Sequence, residues 1–445
     1  MSRILFGCVP FWGHLNPTIA VAQQLIARGH TVAYACHPEM QPALDKAGIP
    51  FIADYAFCEV FVHLNKIVAT ASLLTVRKEL KKWNVSLSEL PVAGLEEDTR
   101  RFMTLIAEWQ PDVCVFDAAF LPGLMAAEAS QTTYVSSCAF PCSQLPSKDL
   151  LPNGYGFPSY QKRPGFGDTL KLIIAGMFAK PINRKLNRVR TVFGLPPAQP
   201  MSYVGCMYMI YTTTLFDFKR SDLPAQVYYL GPSFSKEQMG ADTPFPWEWL
   251  DGRPLVYFTM GTFFNKKKVF DKVIAASKDA PWQIVISVSK NLSLDLWQEL
   301  PENVLLRNFV PQSALLEKVD LVACAGGVNT TTESLLKGLP LLVLPQARDH
   351  FDAAQRVVEA GAGIRIDPAQ VSVVNIRKAI TRLLDEPGYR QQAGVIARDY
   401  LQCDAPLAAA CLIEKVAYRK APLLRPDNVE PTVYRADINR VLQMI

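Results

Sequence analysis

VLLRNFVPQSALLEKVDLVACAGGVNTTTESLLKGLPLLVLPQARDHFDAAQRV, residues 304–357, sets short apolar runs against helix-like segments. VLLRNFV, LVACA and LPLLVLP read as buried strands, with helical stretches between them. A strand, a helix and a strand in this rhythm build a parallel sheet with crossover helices. The Gly326-Gly327 turn falls where LVACA gives way to helix TTTESLLKG. Glycines allow close backbone approach, and a helix start offers unpaired N–H groups to an anion. Asn329, Thr330 and Thr331 add side-chain donors. Glu333, one turn beyond Asn329, can accept hydrogen bonds from ribose hydroxyls. No GxxxxGK pattern occurs, so the turn is not a P-loop.

The same alternation runs outward in both directions. RILFGCVP is a first strand, and PTIAVAQQLIARG an amphipathic helix with Pro17 near its first turn and Gly29 as its stop. HTVAYAC, DVCVFDAAF and TTYVSSCAF follow as strands, and later PLVYFTMG, WQIVISVS and AGIRID. Between the halves, GPSFSKEQMGADTPFPWEWLDGRP is rich in Gly, Pro and polar residues. The expected architecture is α/β: two Rossmann-like, doubly wound parallel-sheet domains facing a cleft. They span 1–230 and 254–424, joined by a linker at 231–253. Ligands of such sheets bind at the carboxyl ends of the strands.

Composition narrows the function classes. The length, 445 residues, suits two domains, and 49% hydrophobic with 20% charged residues is ordinary for a globular chain. A net charge of +5 does not argue for nucleic acid as a partner. The first apolar run stops at His14 and Asn16, too short for a signal peptide, and no run approaches a spanning helix. The ten cysteines are scattered without a CxxC pair, which fits buried reduced thiols in a cytoplasmic protein. Residues 162–190 hold Lys162, Arg163, Lys171, Lys180, Arg184, Lys185, Arg188 and Arg190 against one acid, Asp168, around LKLIIAGMF. Such a stretch either docks peripherally on anionic membrane or packs on the N-domain with its charges solvated.

Two side chains stand out at the ligand-binding edge of the first sheet. His14 lies in the Gly-His-Leu-Asn-Pro turn after the first strand, where a His can serve as a general base. Asp117 ends strand DVCVF, and an Asp aimed at a His ring nitrogen fixes its tautomer. No Gly-x-Ser-x-Gly elbow occurs, which disfavours a hydrolase of that type. In the second half, Thr262 follows strand LVYFT and can reach the same anion as the Gly-Gly turn. No DxD pair and no Cys/His cluster is present, so a diphosphate would be held by helix dipole and hydrogen bonds, with no metal expected.

Over nearly its whole length the chain resembles the GT-B glycosyltransferases of the macrolide, plant and animal UDP-sugar type. The likeness is strongest at 1–35, 110–125 and 255–365. GHLNP is similar to the family's catalytic-His turn at His14, and PDVCVFDAAFLP to the strand bearing its partner Asp at Asp117. RNFVPQSALL resembles the turn that holds the uracil, with Phe309 at the stacking position, Val310 offering backbone and Gln312 matching the family Gln. GGVNTTTES resembles the diphosphate and ribose segment, which gives these roles to Gly326, Gly327, Asn329, Thr330 and Glu333. RDHFDAAQRV is similar to the stretch in which Asp349 and His350 read sugar hydroxyls. Two positions depart. Ala325 stands where the family has a His touching the diphosphate, a loss of about 1.5–3 kcal/mol for a charge-assisted hydrogen bond. His350 replaces a Gln, a change that goes with galactose preference among plant relatives.

The resemblance implies an inverting hexosyl transfer from a UDP-sugar co-substrate, without a further cofactor, to a hydroxyl of a hydrophobic acceptor. Polyketides, phenols, sterols, terpenoids and carotenoids all fit. His14, held by Asp117, would take the acceptor proton, and Thr262 with the helix start at 328–336 would stabilise the departing UDP. Residues 56–83 and 139–178 are apolar enough to line the acceptor pocket, or to be core faces. In the family the tail at 425–445 crosses back to the N-domain. Two other readings of the chain stay open here: a catalytically silent GT-B partner protein, suggested by Ala325, and a UDP-sugar epimerase. Nothing in the sequence bears on oligomeric state.

Overall fold

The computed structural model describes residues 1–52, 58–70, 73–82, 86–139, 145–200, 202–235, 243–261, 266–289, 292–346 and 348–445. Among them twelve strands form two six-stranded sheets. The first contains β1 (Arg3–Gly7), β2 (Thr31–Ala35), β3 (Val113–Asp117), β4 (Tyr134–Cys138), β5 (Tyr208–Ile210) and β6 (Val227–Tyr229). The second contains β7 (Leu255–Thr259), β8 (Gln283–Ser287), β9 (Val304–Arg307), β10 (Leu321–Cys324), β11 (Leu341–Val343) and β12 (Gly363–Arg365). Every pairing is parallel.

The strand orders are β2-β1-β3-β4-β5-β6 and β12-β11-β10-β7-β8-β9. In each sheet the winding reverses once, between β1 and β3 in the first and between β7 and β10 in the second. A crevice opens at such a reversal, outside the carboxyl ends of the strands. Here those ends carry His14 and Asp117 in one sheet and the Gly326-Gly327 turn in the other.

Both sheets are covered on both faces, which is why their strands read as unbroken apolar runs. In β1, Ile4 and Phe6 join one core cluster while Leu5 joins the cluster on the opposite face. In β7, Val256 and Phe258 face one cluster, and Leu255 and Tyr257 the other. The three-residue β5 and β6 lie beyond the strands expected from sequence. Runs that short carry too few residues for a period to show.

The expected C-terminal domain ran to 424, yet helix Ala405–Arg419 already packs with the first sheet. Its Ala405, Ala408, Leu412, Ile413 and Val416 share a core cluster with Ile4, Leu15 and Ile19. An amphipathic pattern says that a face is buried but not which sheet it covers. Further along, Tyr229 of β6 donates to Pro431 O and its own carbonyl accepts from Val433 N, both at 2.8 Å.

Candidate active site

His14 sits in the first turn of helix Trp12–Ala27, not in the loop expected before it. The carbonyl of Phe11 accepts the N–H groups of His14 and Leu15 at 2.9 and 3.1 Å, so the helix starts ahead of Gly13. Asp117 is the last residue of β3, beside β1. The adjacency brings Asp117 Oδ2 to 2.9 Å from His14 Nδ1. Its other oxygen accepts the Ala119 N–H at 2.9 Å, which fixes the carboxylate. The side chains are only 12% and 3% exposed. Burial pushes the His14 imidazole down, but the Asp117 charge and hydrogen bond, with Asp349 from across the cleft, outweigh it and hold the group above 6.5. With Nδ1 facing Asp117, Nε2 is the ring nitrogen on the side away from the carboxylate.

The second sheet presents helix Val328–Leu336 to this pair. Its N-cap, Gly327, is extended, and Gly326 adopts φ +92. A Cβ on Gly326 would lie 2.9 Å from Val343 Cγ1 and 3.0 Å from His350 O, so only glycine fits. Asn329 Nδ2 donates to Trp12 O at 3.3 Å, and a Cβ on Gly13 would lie 3.7 Å from Val328 Cγ1. The starts of two helices, one from each sheet, therefore face each other. Each carries the positive end of its helix dipole to this junction.

Around this junction the expected residues fall into groups. Glu333 is 7% exposed and accepts from Gln312 Nε2 at 2.8 Å, while Gln312 Oε1 accepts from Tyr257 Oη at 3.1 Å. Burial raises the Glu333 carboxyl to about 7, with Gln312 and Lys337 opposing. Phe309 is half-buried, and Val310 is buried in the core beside them. Thr330 stays half-buried. Thr331 is 2% exposed and its hydroxyl is buried, which sets it apart from the half-buried Thr330. Ala325 is buried in an apolar cluster below the turn. Asp349 and the buried His350 open helix Arg348–Glu359, with His350 Nε2 3.8 Å from Asp349 Oδ2. Burial lowers the His350 imidazole, partly offset by Asp349. His350 Nε2 lies 4.0 Å from where a Gly327 Cβ would be, beside the helix start. Thr262 lies outside the described residues, and so do 56–57, 71–72, 83 and 140–144 of the expected acceptor segments.

Phe61 belongs to the expected acceptor segment 56–83, whereas other residues at the site gave no sequence signal. Phe11 lies 6.1 Å from His14 and 5.8 Å from Phe61, ring centre to ring centre, and these rings form an apolar wall beside the imidazole. Helix Arg348–Glu359 is tied to the first half of the chain. Asp352 accepts the N–H groups of Gly154 and Gly156 at 2.7 and 2.9 Å. Arg356 Nε donates to Asp217 Oδ1 at 2.7 Å, with both side chains at most 1% exposed. In sequence, Asp352 and Arg356 look like an exposed i, i+4 pair, and nothing there points to Asp217.

Among the described residues no group of three or more His, Cys, Asp or Glu side chains is placed to hold a metal ion. None of the described helices is long and apolar enough to cross a membrane.

Comparison with known proteins bears on the fold and on the class of enzyme. Residues 271–415 match the family model described as erythromycin biosynthesis protein CIII-like, C-terminal domain. The chain is 27% identical over 438 residues to 4'-demethylrebeccamycin synthase of Lentzea aerocolonigenes, covering 93% of this chain and 99% of that one. It is also 27% identical over 427 residues to the NDP-glycosyltransferase YjiC of Bacillus subtilis (strain 168), covering 93% and 97%. The crystal structure of the glycotransferase of kitacinnamycin superposes with a TM-score of 0.73 at 21% identity, covering 93% of this chain and 98% of that one, a likeness of fold. Matched almost end to end in sequence and built on the same pair of sheets, the chain is a GT-B glycosyltransferase similar to the macrolide and natural-product members of family 1.

Proposed function

We propose that the protein moves a hexosyl group from a UDP-sugar to a hydroxyl of a hydrophobic small molecule with inversion at the anomeric carbon. The observation that carries this reading is the buried His14–Asp117 pair set against the start of helix Val328–Leu336. A base on one wall of the cleft and an anion-binding helix start on the other suit an in-line displacement. His14 Nε2 takes the acceptor proton as the acceptor oxygen attacks. The imidazolium that forms is stabilised by Asp117. The bond to the diphosphate breaks on the opposite face, and the developing charge meets the backbone N–H groups of residues 328–330.

The donor side follows from the same helix. Glu333, steadied by Gln312, accepts from the ribose hydroxyls, and Phe309 with the Val310 backbone receives the base. Asp349 and His350 face the sugar. Thr262 remains in this proposal as a phosphate contact. The nucleoside diphosphate is in keeping with the relative named as an NDP-glycosyltransferase. The acceptor approaches along Phe11 and Phe61, whose apolar faces favour a hydrophobic alcohol.

The test incubates the protein with UDP-glucose, UDP-galactose or dTDP-glucose and a panel of hydrophobic alcohols. A glycoside of inverted anomeric configuration, lost in His14→Ala while UDP still binds, is the expected result. Retained configuration, interconversion of free nucleotide sugar, or full turnover by His14→Ala would each refute the proposal.

A further inference from the structure

Helix Phe166–Val192 lies outside both sheets. Its C-terminal half is fixed to the molecule. Leu186 and Val189 sit in the core below the first sheet, and Arg190 pairs with Glu128 at 2.8 Å. The N-terminal half turns an apolar face to solvent. Phe166, Leu170, Ile173, Ile174, Met177 and Phe178 are 93%, 54%, 57%, 46%, 64% and 61% exposed. The first five recur at i, i+4, i+7, i+8 and i+11, which places them in one stripe. A continuous exposed stripe of large apolar side chains marks an interaction site on a soluble protein.

The charge on this helix is segregated along its axis. Five turns beyond Phe166 and Leu170, at about 3.6 residues per turn, the stripe continues as Arg184 and Arg188, both exposed and followed closely by no acid on the helix. Lys180 is exposed nearby, and Lys162 and Arg163 are exposed just before the helix. The helix's one acid, Asp168, pairs with Lys171 at 3.2 Å. Glu89, from the packed segment Leu87–Val92, sits near Lys185 and Arg188.

We propose that this face docks on an anionic lipid surface. The apolar stripe enters the acyl boundary, and the basic residues lie at the level of the phosphates. Charge selects this occupant over a second copy of the chain. A twofold contact would set the same basic patch against itself, and like charges opposed across an interface disfavour pairing. The docking is independent of the proposed chemistry, because lipid binding is read without donor or acceptor.

The experiment sediments the full-length protein with vesicles of phosphatidylcholine alone or with one part in three of phosphatidylglycerol. Binding is expected to the anionic vesicles, weakening as salt is raised, and abolished in Ile173→Asp/Met177→Asp. Arg184→Ala/Arg188→Ala should lower partitioning about thirtyfold. Circular dichroism and thermal unfolding check that these surface variants stay folded. Absence of sedimentation with anionic vesicles overturns the proposal, as does undiminished binding by the double Asp variant. Concentration-dependent dimerisation of the wild type, removed by Ile173→Asp, would place a second copy on the stripe and also overturn it.

Discussion

Asp117→Asn is the sharpest single perturbation of the proposed chemistry. The carboxylate lies 2.9 Å from His14 Nδ1 in a site where its side chain is 3% exposed, so solvent screens it little. It performs two tasks. It holds the imidazole with Nε2 toward the cleft, and with Asp349 it keeps the ring above its ordinary value against the burial that lowers it. An Asn keeps the shape but loses the charge and can present its N–H₂ group to Nδ1, turning the ring to the wrong tautomer. General-base catalysis is typically worth about 10²–10⁴-fold, so kcat should fall within that range while UDP affinity stays within about threefold. The sign of the pH effect is also fixed. A base works deprotonated, so wild-type kcat rises with pH through a value above 6.5. Without Asp117, burial prevails and the rise moves to lower pH. The assay is kcat against pH at saturating UDP-sugar, with UDP binding by calorimetry. A variant that keeps its kcat, or whose rise moves to higher pH, would refute the reasoning.

Further expectations concern the donor side. Glu333→Gln should flatten the pH dependence of stability measured without ligand. The carboxyl titrates near 7 folded against about 4.5 unfolded, so the folded state holds the extra proton and stability falls as pH rises through this window, by about 3 kcal/mol. Urea unfolding at pH 5 and pH 8 reads the difference, and an unchanged slope in the variant would remove Glu333 as its source. Gly326→Ala should lower stability by about 1–3 kcal/mol, since the position combines φ +92 with a 2.9 Å approach to Val343. Calorimetry showing no change in Tm would contradict that. Arg356→Met alone takes the countercharge from the buried Asp217, which still accepts from the Tyr229 hydroxyl and the Phe218 N–H, and should cost about 3–5 kcal/mol, while Asp217→Asn with Arg356→Met should recover part of it. A double variant as unstable as the single one would mean the pair does more than neutralise itself.

Much of the site was legible because its residues follow strands. His14, Asp117 and the Gly326-Gly327 turn each come just after a buried run, and parallel sheets send such positions to one edge. The start of the His14 helix was less legible, because the Phe11 carbonyl cap is a backbone interaction that no residue type announces. Thr331 looked equivalent to Thr330 until the helix phase turned it inward, where its hydroxyl is buried. The Tyr257–Gln312–Glu333 chain joins β7 to two later segments, and such a link appears only when those segments are folded together.

Local pattern in the chain was sufficient for the alternation of strands and helices, for two parallel sheets and for the residues at their ligand-binding edges. Burial on both faces and the direction of crossover connections leave few other arrangements for such a pattern. Contacts between segments far apart in the chain were settled only in three dimensions. Asp217 meets Arg356, Asn329 meets the Trp12 carbonyl, and helix Ala405–Arg419 covers the first sheet instead of the second. A periodic pattern fixes which face of an element is buried, whereas its partner depends on the geometry of every element packed between them.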